Sequence, residues 1–484
     1  MENTVLTWLE EAAEKYPDKT VYMDQNKTLT FSEVLIKAKA VGSYLIKQNI
    51  NEKPVAVMLP RNVDTIAAFL GVVYSGRPYA PVGLDIPEDR KDKIIKRLDP
   101  SFILNEENIG EAFNTPVDEE SLKKMRDRAA LSDPLYIIFT SGSSGDPKGV
   151  ITSNLSLMNY ISAYSEMMGI GDEDVMASQS PLDYIAAIRD IYVPLYTGAS
   201  DVLIPKEYFM QPDRLFDMLN EYSVTAVGWS TSAITVLTKL GAFKDKTLNT
   251  LKKICFSGSV MPGSVLKQWQ DALPDALFVN QYGPTETTAS CTYYKLDHVA
   301  ADDEVISIGI PYKNYRVFLL SDDNKRVPDG EEGEIIVSGI GVTCGYINDP
   351  DRTKAVFTIN PLETSFEERI YRTGDIGVMR EDGNLEYHGR RDRQIKYMGH
   401  RVELDEIESA AAAFGITECA ALYQEEKEQI WFFCVSDKTL KDISLALREK
   451  LPGFMVPRKI RILEEMPHLP NGKTDFTTLK SMLN

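Results

Sequence analysis

The sequence predicts an α/β protein: a large N-terminal domain of parallel-rich sheets with helices, a β-rich subdomain beyond about residue 300, and a small α+β C-terminal domain. Three observations predict it. Short apolar runs alternate with helix-period segments through the first half, the rhythm of a parallel sheet covered by helices. Later, the runs Tyr315-Arg-Val-Phe-Leu-Leu320, Gly333-Glu-Ile-Ile-Val-Ser338 and Leu385-Glu-Tyr387 are divided by turn signals at Asp322-Asp323, Pro328-Asp-Gly330 and Asp382-Gly383. The final stretch of about ninety residues carries helix and strand signals enough for a domain of its own.

In order, Val5, Leu9, Ala12 and Tyr16 recur at helical spacing until Pro17 stops them. Leu29-Thr-Phe-Ser32 then offers Ser32 as a cap for a helix carrying Val34, Leu35, Ala38 and Val41. A strand at Val55-Ala-Val-Met58, a helix from Val63 to Tyr74 and a turn at Gly76-Arg-Pro follow. Residues 105 to 133 are polar with few apolar positions in phase, and read as a surface excursion. Ser153 is placed to cap a helix whose Leu157, Tyr160, Ile161, Tyr164 and Met168 share one face. Strand-like runs continue at Val202-Leu-Ile204, Ala226-Val-Gly228, Ile254-Cys-Phe256 and Leu277-Phe-Val279. Gly389 to Lys396 reads as a polar, hinge-like stretch. Beyond it come a helix (Glu403 to Phe414), strands (Ala420 to Tyr423, Ile430 to Cys434), a helix (Leu440 to Leu451) and a strand (Lys459 to Leu463).

The 484 residues, 43% of them hydrophobic, exceed what one ordinary core requires, so two or more domains are expected. A net charge of −19 argues against non-specific binding to nucleic acid or an anionic membrane. The five cysteines, at 255, 291, 344, 419 and 434, are scattered without a CxxC pair, which disfavours a disulfide framework or zinc site and suits the cytoplasm. Acids interrupt the amino terminus and no apolar run approaches membrane-spanning length, so neither export nor membrane insertion is expected.

One stretch combines backbone freedom, hydroxyls and a cation: Thr140-Ser-Gly-Ser-Ser-Gly-Asp-Pro-Lys-Gly149, directly after the apolar run Tyr136-Ile-Ile-Phe139. Gly142 and Gly145 permit turns that aim successive N–H groups inward, Thr140, Ser141, Ser143 and Ser144 add donors, and Lys148 adds charge. It reads as a phosphate-holding loop. It is not a Walker A loop, since Pro147-Lys148-Gly149 stands where that pattern needs Gly-Lys-Ser/Thr. An ordinary flexible connection is the plain alternative.

Together with Tyr282-Gly-Pro-Thr-Glu286, Tyr371-Arg-Thr-Gly-Asp375, Gly389-Arg-Arg-Asp-Arg-Gln-Ile-Lys396 and Asn471-Gly-Lys473, the loop resembles the adenylate-forming enzymes. These include acyl-CoA synthetases, luciferases and the adenylation domains of nonribosomal peptide synthetases. Leu29-Thr-Phe-Ser-Glu33, Gly76-x-x-Tyr79-x-Pro81, and Gly333-Glu334 followed by Gly345-Tyr346, are similar to the adenylation-domain branch. The length is closest in look to free-standing amino-acid adenylation enzymes such as those that load D-alanine onto a carrier protein.

The resemblance implies ATP and Mg²⁺ as cofactors, with residues 1–388 as the adenylation core, 389–392 as a hinge turning about Asp392, and 393–484 as a mobile, rotating domain. Thr140, Ser141, Gly142, Ser143, Ser144, Gly145 and Lys148 would hold phosphate. Glu286 would hold Mg²⁺, Gly283 would belong to the nucleotide-binding turn, and Thr285 would donate to the α-phosphate. Tyr282 would flank adenine, with Asn280 at the base edge. Asp375 would accept from the ribose hydroxyls, Arg390 would assist beside it, and Lys473 would be the catalytic amine from the small domain. Chemically, an acid attacking the α-phosphorus of ATP needs two anions held together, which cations and hydroxyl donors achieve. The segment Glu386 to Arg401 holds five Arg/Lys and two His against two acids. It reads either as a solvated loop or as a surface for an anionic partner: ATP, or a carrier protein with its phosphopantetheine arm. The four histidines do not cluster in sequence, which disfavours triad or metal–histidine chemistry.

For the acyl pocket, amino-acid-activating relatives place an Asp where this chain has Ile185. A buried ammonium without a carboxylate is costly. Either the substrate lacks an α-amino group, or Asp183 takes the role through an altered backbone. Arg189, one turn on, either faces the substrate or pairs with Asp190 or another acid. Facing inward, it invites a second carboxylate, a carbonyl or a hydroxyl. Ala186, Trp229, Ser257, Gln281 and Ala289 are further pocket positions by alignment, and Ser259 replaces a Glu common in relatives. The expected reaction joins a small carboxylic acid to AMP with release of pyrophosphate, then passes the acyl group to a thiol. As no carrier segment follows Asn484, the acceptor is expected on another chain. A CoA ligase for a small acid, and a non-catalytic nucleotide-binding homologue, are the alternatives.

Overall fold

The computed structural model describes residues 4–142, 146–468 and 474–483. Nine strands, from one edge to the other Ile310–Pro311, Thr292–Lys295, Leu277–Tyr282, Lys253–Ser257, Ala226–Ser230, Val175–Ser178, Ser200–Leu203, Thr20–Met23 and Thr28–Thr30, form one sheet. Its middle, from Leu277–Tyr282 to Thr20–Met23, is parallel, and the edges are antiparallel. A six-stranded sheet follows the order Gly345–Tyr346, Lys148–Ser153, Pro134–Thr140, Tyr79–Pro81, Val55–Met58, Phe102–Asn105. The β-rich part is an antiparallel sheet built on Arg369–Met379, which pairs with Glu332–Gly339, Phe357–Ile359 and Leu385–Arg390.

By internal contact the chain forms two units. One comprises Met1–Gly83, Leu98–Phe139 and Gly149–Arg391; the other comprises Leu84–Arg97, Thr140–Lys148 and Asp392–Asn484. The second unit has its own core, in which Val402, Ile407, Phe432, Ile443, Leu447 and Met455 are buried. Within it, Arg90 is ion-paired with Glu406, and Lys450 Nζ stands 2.7 Å from Asp89.

Most expected elements form where the pattern places them, for instance the helices Val5–Lys15 and Val63–Tyr74 and the strand Val55–Met58. Ser153 caps the helix Asn154–Met168 by accepting from the Ser156 amide. One local reading is corrected and two gain detail. The helix Phe31–Lys47 is capped by Thr30, not Ser32, because Glu33 completes a capping box in which each residue's side chain accepts from the other's amide. The excursion at 105–133 contains the helices Ile109–Phe113 and Glu119–Arg128, which bury only Ala112 and Leu122, too few anchors to show a period. Gly389 and Arg390 end the strand Leu385–Arg390, leaving only 391–393 before the strand Gln394–Tyr397. Among the described residues no helix is long and apolar enough to cross a membrane.

Two acids lie in the interior of the nine-stranded sheet and its helical cover. Asp201 sits in register with Tyr22 on the neighbouring strand, and Asp190 is on the helix Ala187–Thr197. Both are fully buried, and burial pushes each carboxyl upward, Asp201 well above its ordinary range. Arg189 and Arg61 pull Asp190 the other way, whereas Asp190 raises Asp201 further.

Candidate active site

The strand Leu277–Tyr282 leads into Gly283-Pro284 and one 3₁₀ turn, Thr285–Thr287. Gly283 is required by proximity, since a Cβ there would lie 2.5 Å from the Ser290 Cα. The returning chain then passes through left-handed conformations at Thr288 and Ala289. Glu286 is thereby turned into the interior, wholly buried. The Tyr346 hydroxyl donates to its Oε1 at 2.6 Å, and its backbone carbonyl accepts from the Thr343 amide at 3.0 Å. Thr285 is buried beside it.

Tyr371 to Asp375 belongs to the strand Arg369–Met379, with Tyr371 and Asp375 both buried. Asp375 faces Arg390 across the antiparallel pair with Leu385–Arg390. The Arg390 Nη1 donates to Asp375 Oδ1 and to the Thr373 carbonyl, and the Tyr282 hydroxyl donates to Asp375 Oδ2. Burial, then the adjoining Asp375, push the Tyr282 phenol well above its ordinary range, so it remains a donor. A carboxylate accepts about four hydrogen bonds, so Asp375 retains capacity for further donors. Asn280 is less available: its amide donates to the Ser307 carbonyl at 2.8 Å on the buried side of the strand.

In the second unit, Thr140 Oγ1 is buried without a hydrogen-bond partner among the described residues. The Ser141 hydroxyl donates to the Arg401 carbonyl at 2.6 Å, Gly142 is buried, and Lys148, half-buried, starts the strand Lys148–Ser153. Ser143, Ser144, Gly145 and Lys473 lie outside the described residues. In the basic stretch around 390, Arg391 pairs with Asp322 within the first unit, and Arg393 with Asp405 and Glu408 within the second.

Taken unit by unit, these residues are of a kind that suits phosphate in the second unit and a cation in the first. An orphaned buried hydroxyl at Thr140 awaits an acceptor, as a phosphate oxygen supplies. Among the described residues no group of three or more His, Cys, Asp and Glu could enclose a metal, so a cation at Glu286 needs phosphate oxygens to complete its shell, as Mg²⁺ does.

The aligned acyl-pocket positions divide between the two faces of the sheet. Arg189 is 2% exposed. Its Nη1 donates to Gln281 Oε1 at 3.2 Å and its Nη2 to the Gly228 carbonyl at 3.1 Å, while among the described residues no carboxylate is ion-paired with it. The pairing with Asp190 or a surface acid is therefore not formed. Ser290 Oγ also donates to Gln281 Oε1, and Gln281 Nε2 donates to the Tyr312 hydroxyl. Ser257 and Ala289 are half-buried, as is Ala186, which precedes the Arg189 helix; Ile185 is buried in the main core. Asp183 lies against Gly83, where a Cβ would come 2.5 Å from its Oδ2.

Trp229 is a correction. It points to the opposite face, donating Nε1 to the Ala177 carbonyl and packing edge-on against Phe209 and Trp269 in the second core. Gly228 holds the place the alignment gave to Trp229: a Cβ on Gly228 would meet Arg189 Cζ at 3.2 Å and the Tyr164 hydroxyl at 3.3 Å.

The family model for AMP-binding enzymes matches residues 9–347. The chain belongs to that family. It is 29% identical to a D-alanine--D-alanyl carrier protein ligase of Bacillus cereus over 511 residues, covering 99% of both chains. It is 28% identical to tyrocidine synthase 1 of Brevibacillus parabrevis over 491 residues, covering 97% of this chain but only 44% of that protein. The fold matches the Vibrio cholerae adenylation domain AlmE, solved in complex with glycyl-adenosine-5'-phosphate, with a TM-score of 0.85 at 21% identity over 100% of this chain and 98% of that one.

For this AMP-binding enzyme the sequence reading picked out Tyr346 in the Gly345-Tyr346 segment but not its role in holding Glu286, and it missed the roles of Gly228, Cys255 and Tyr164 around Arg189. A glycine inside an apolar strand was the available signal for Gly228, since it marks a close approach. The role of Tyr346 had no local signal, because its partner is 60 residues away in sequence.

Proposed function

We propose that this enzyme activates a small carboxylic acid with ATP as an acyl-adenylate, releasing pyrophosphate, and then transfers the acyl group to the phosphopantetheine thiol of a separate carrier protein. The observation that carries this reading is Asp375, buried between Tyr282 and Arg390 with acceptor capacity to spare, on the same unit as the enclosed Glu286. The reading also draws on the near full-length likeness to a carrier protein ligase.

In the first step a carboxylate oxygen bonds to the α-phosphorus as the bridging bond to pyrophosphate breaks. Asp375 is assigned the ribose hydroxyls, Tyr282 the adenine flank and Thr285 the α-phosphate. Thr140, Ser141, Gly142 and Lys148, with Ser143, Ser144 and Gly145, are assigned the phosphates. Glu286 is assigned Mg²⁺, which when bound supplies positive charge to the phosphate oxygens. Lys473 is assigned the amine that bridges carboxylate and α-phosphate. In the second step the thiolate sulfur bonds to the acyl carbon and AMP leaves. Residues 389–392 are proposed as the hinge for a rotating 393–484 domain. The five free cysteines suit a reducing compartment such as the cytoplasm.

Carboxylate-dependent exchange of labelled pyrophosphate into ATP tests the first step; absence of exchange with every acid refutes it. A thioester assay with CoA against holo-carrier protein tests the second, and a preference for CoA makes the enzyme a CoA ligase.

A further inference from the structure

A buried cation is best matched by an anion in direct contact, and among the described residues no carboxylate lies within ion-pair distance of Arg189, although it feels the neighbouring Asp190. Its acceptors are neutral: the Gln281 side-chain carbonyl, the Gly228 backbone carbonyl and, at 3.8 Å, the Cys255 sulfur. Its Nε is buried with no partner among the described residues. The neighbouring acidic hydrogens do not supply the missing charge, since burial pushes both the Cys255 thiol and the Tyr160 hydroxyl up to about 12. Burial works to lower Arg189, yet its net direction is upward, so the guanidinium remains protonated. Asp190, next in sequence, forms no ion pair with it and is itself pushed upward by burial.

The position of this cation is built. The guanidinium stacks 5.7 Å from the centre of the Tyr164 ring and fills the space left by the missing side chain of Gly228. Gly228 and Cys255 are register partners on adjacent parallel strands, one residue before Trp229 and Phe256 and two before the strand ends Ser230 and Ser257. Ligands of parallel sheets bind outside those carboxyl ends. Ile185, one turn before Arg189, offers no carboxylate for an ammonium group.

We propose that the acid activated by this enzyme is a small dicarboxylic acid without an α-amino group, one carboxylate of which pairs with Arg189 while the other reacts. The inference rests on the adenylation reading above and narrows its substrate class. A side-on guanidinium presents Nε and Nη2 as a fork matching two carboxylate oxygens. A hydroxyl or keto acid reaches the same donors but leaves the buried charge uncompensated. The distal carboxylate stays ionised throughout, while an oxygen of the reacting one bonds to the α-phosphorus as the bond to pyrophosphate breaks, giving the mixed carboxylic–phosphoric anhydride.

Pyrophosphate exchange on the wild-type enzyme, run over malonate, succinate, glutarate, matched monocarboxylates, hydroxy acids and amino acids, is the test. One of the dicarboxylates is expected to exceed the monocarboxylate of equal length by about 100-fold or more in kcat/KM. Arg189→Met is expected to collapse that ratio towards one, and Arg189→Lys to restore part of it. Preference for an amino, hydroxy or monocarboxylic acid overturns the inference while leaving the adenylation reading intact, as does a ratio unchanged in Arg189→Met. Exchange with no acid at all overturns both.

Discussion

Asp375 and Arg390 face each other across two antiparallel strands, and Tyr282, from a different sheet, donates to the same carboxylate. The acid is thus fixed from two layers before any ligand arrives. Asp375→Asn is expected to raise KM for ATP and, by weakening the charge-assisted bonds from Arg390 and Tyr282, to cost about 1–3 kcal/mol of stability. Urea unfolding alongside pyrophosphate exchange checks it; a variant as stable as wild type would show that the pair is not the anchor of that strand.

Glu286 is enclosed, with the Tyr346 hydroxyl on one oxygen. Glu286→Gln keeps the shape and removes the charge. Exchange is expected to fall by about 100-fold or more, with a shifted Mg²⁺ dependence. An unaltered Mg²⁺ titration curve would remove Glu286 from the cation's shell.

Lys473→Ala is expected to lower exchange by about 100- to 1,000-fold. Transfer to thiol from a supplied acyl-adenylate should survive. Equal loss of both steps would contradict its assignment to the first alone.

Asp190 and Asp201 set a pH dependence whose sign is opposite to that of ion-paired acids. Their folded pKa values are raised by burial, so the native state holds protons that the unfolded chain has released. Their contribution is intact below the ordinary carboxylate range near pH ~4 and is lost as pH rises from there towards neutrality, at up to about 1.4 kcal/mol per pH unit for each proton. In denaturant titrations Asp201→Asn should flatten the decline that sets in as pH rises above the ordinary carboxylate range. Parallel profiles for variant and wild type would rule the pair out as the source.

Trp229→Phe separates core from pocket. It loses the bond to the Ala177 carbonyl and is expected to destabilise by about 1 kcal/mol. KM for the acid should not move. A changed acid preference would return Trp229 to the pocket.

Local signals carried most of the architecture, because helix caps, apolar periods and turn residues act within a few positions. Ser153 as a cap is one such case. The failures share a cause. Thr30 and Ser32 both qualify as caps, and the Glu33 side chain decides between them. Trp229 and Gly228 differ by one residue, and in a strand that reverses the face; only the pairing of Gly228 with Cys255 fixes it. Segments 84–97 and 140–148 group with the C-terminal residues through contacts such as Arg90 with Glu406 and Ser141 with the Arg401 carbonyl, each spanning over 250 positions. The nucleotide motifs were legible as residues, but the Tyr282–Asp375 bond, 93 positions apart, was not.

Glu286 hangs from the nine-stranded sheet, whereas the hydroxyl that aims it comes from Tyr346, on the edge of the six-stranded one. Neither layer alone forms that bond. During synthesis the chain must therefore emerge past Tyr346 and close the two layers upon each other before the bond can form. A nascent or clipped product that stops short of this tyrosine carries every glycine and hydroxyl of the phosphate loop and still lacks it.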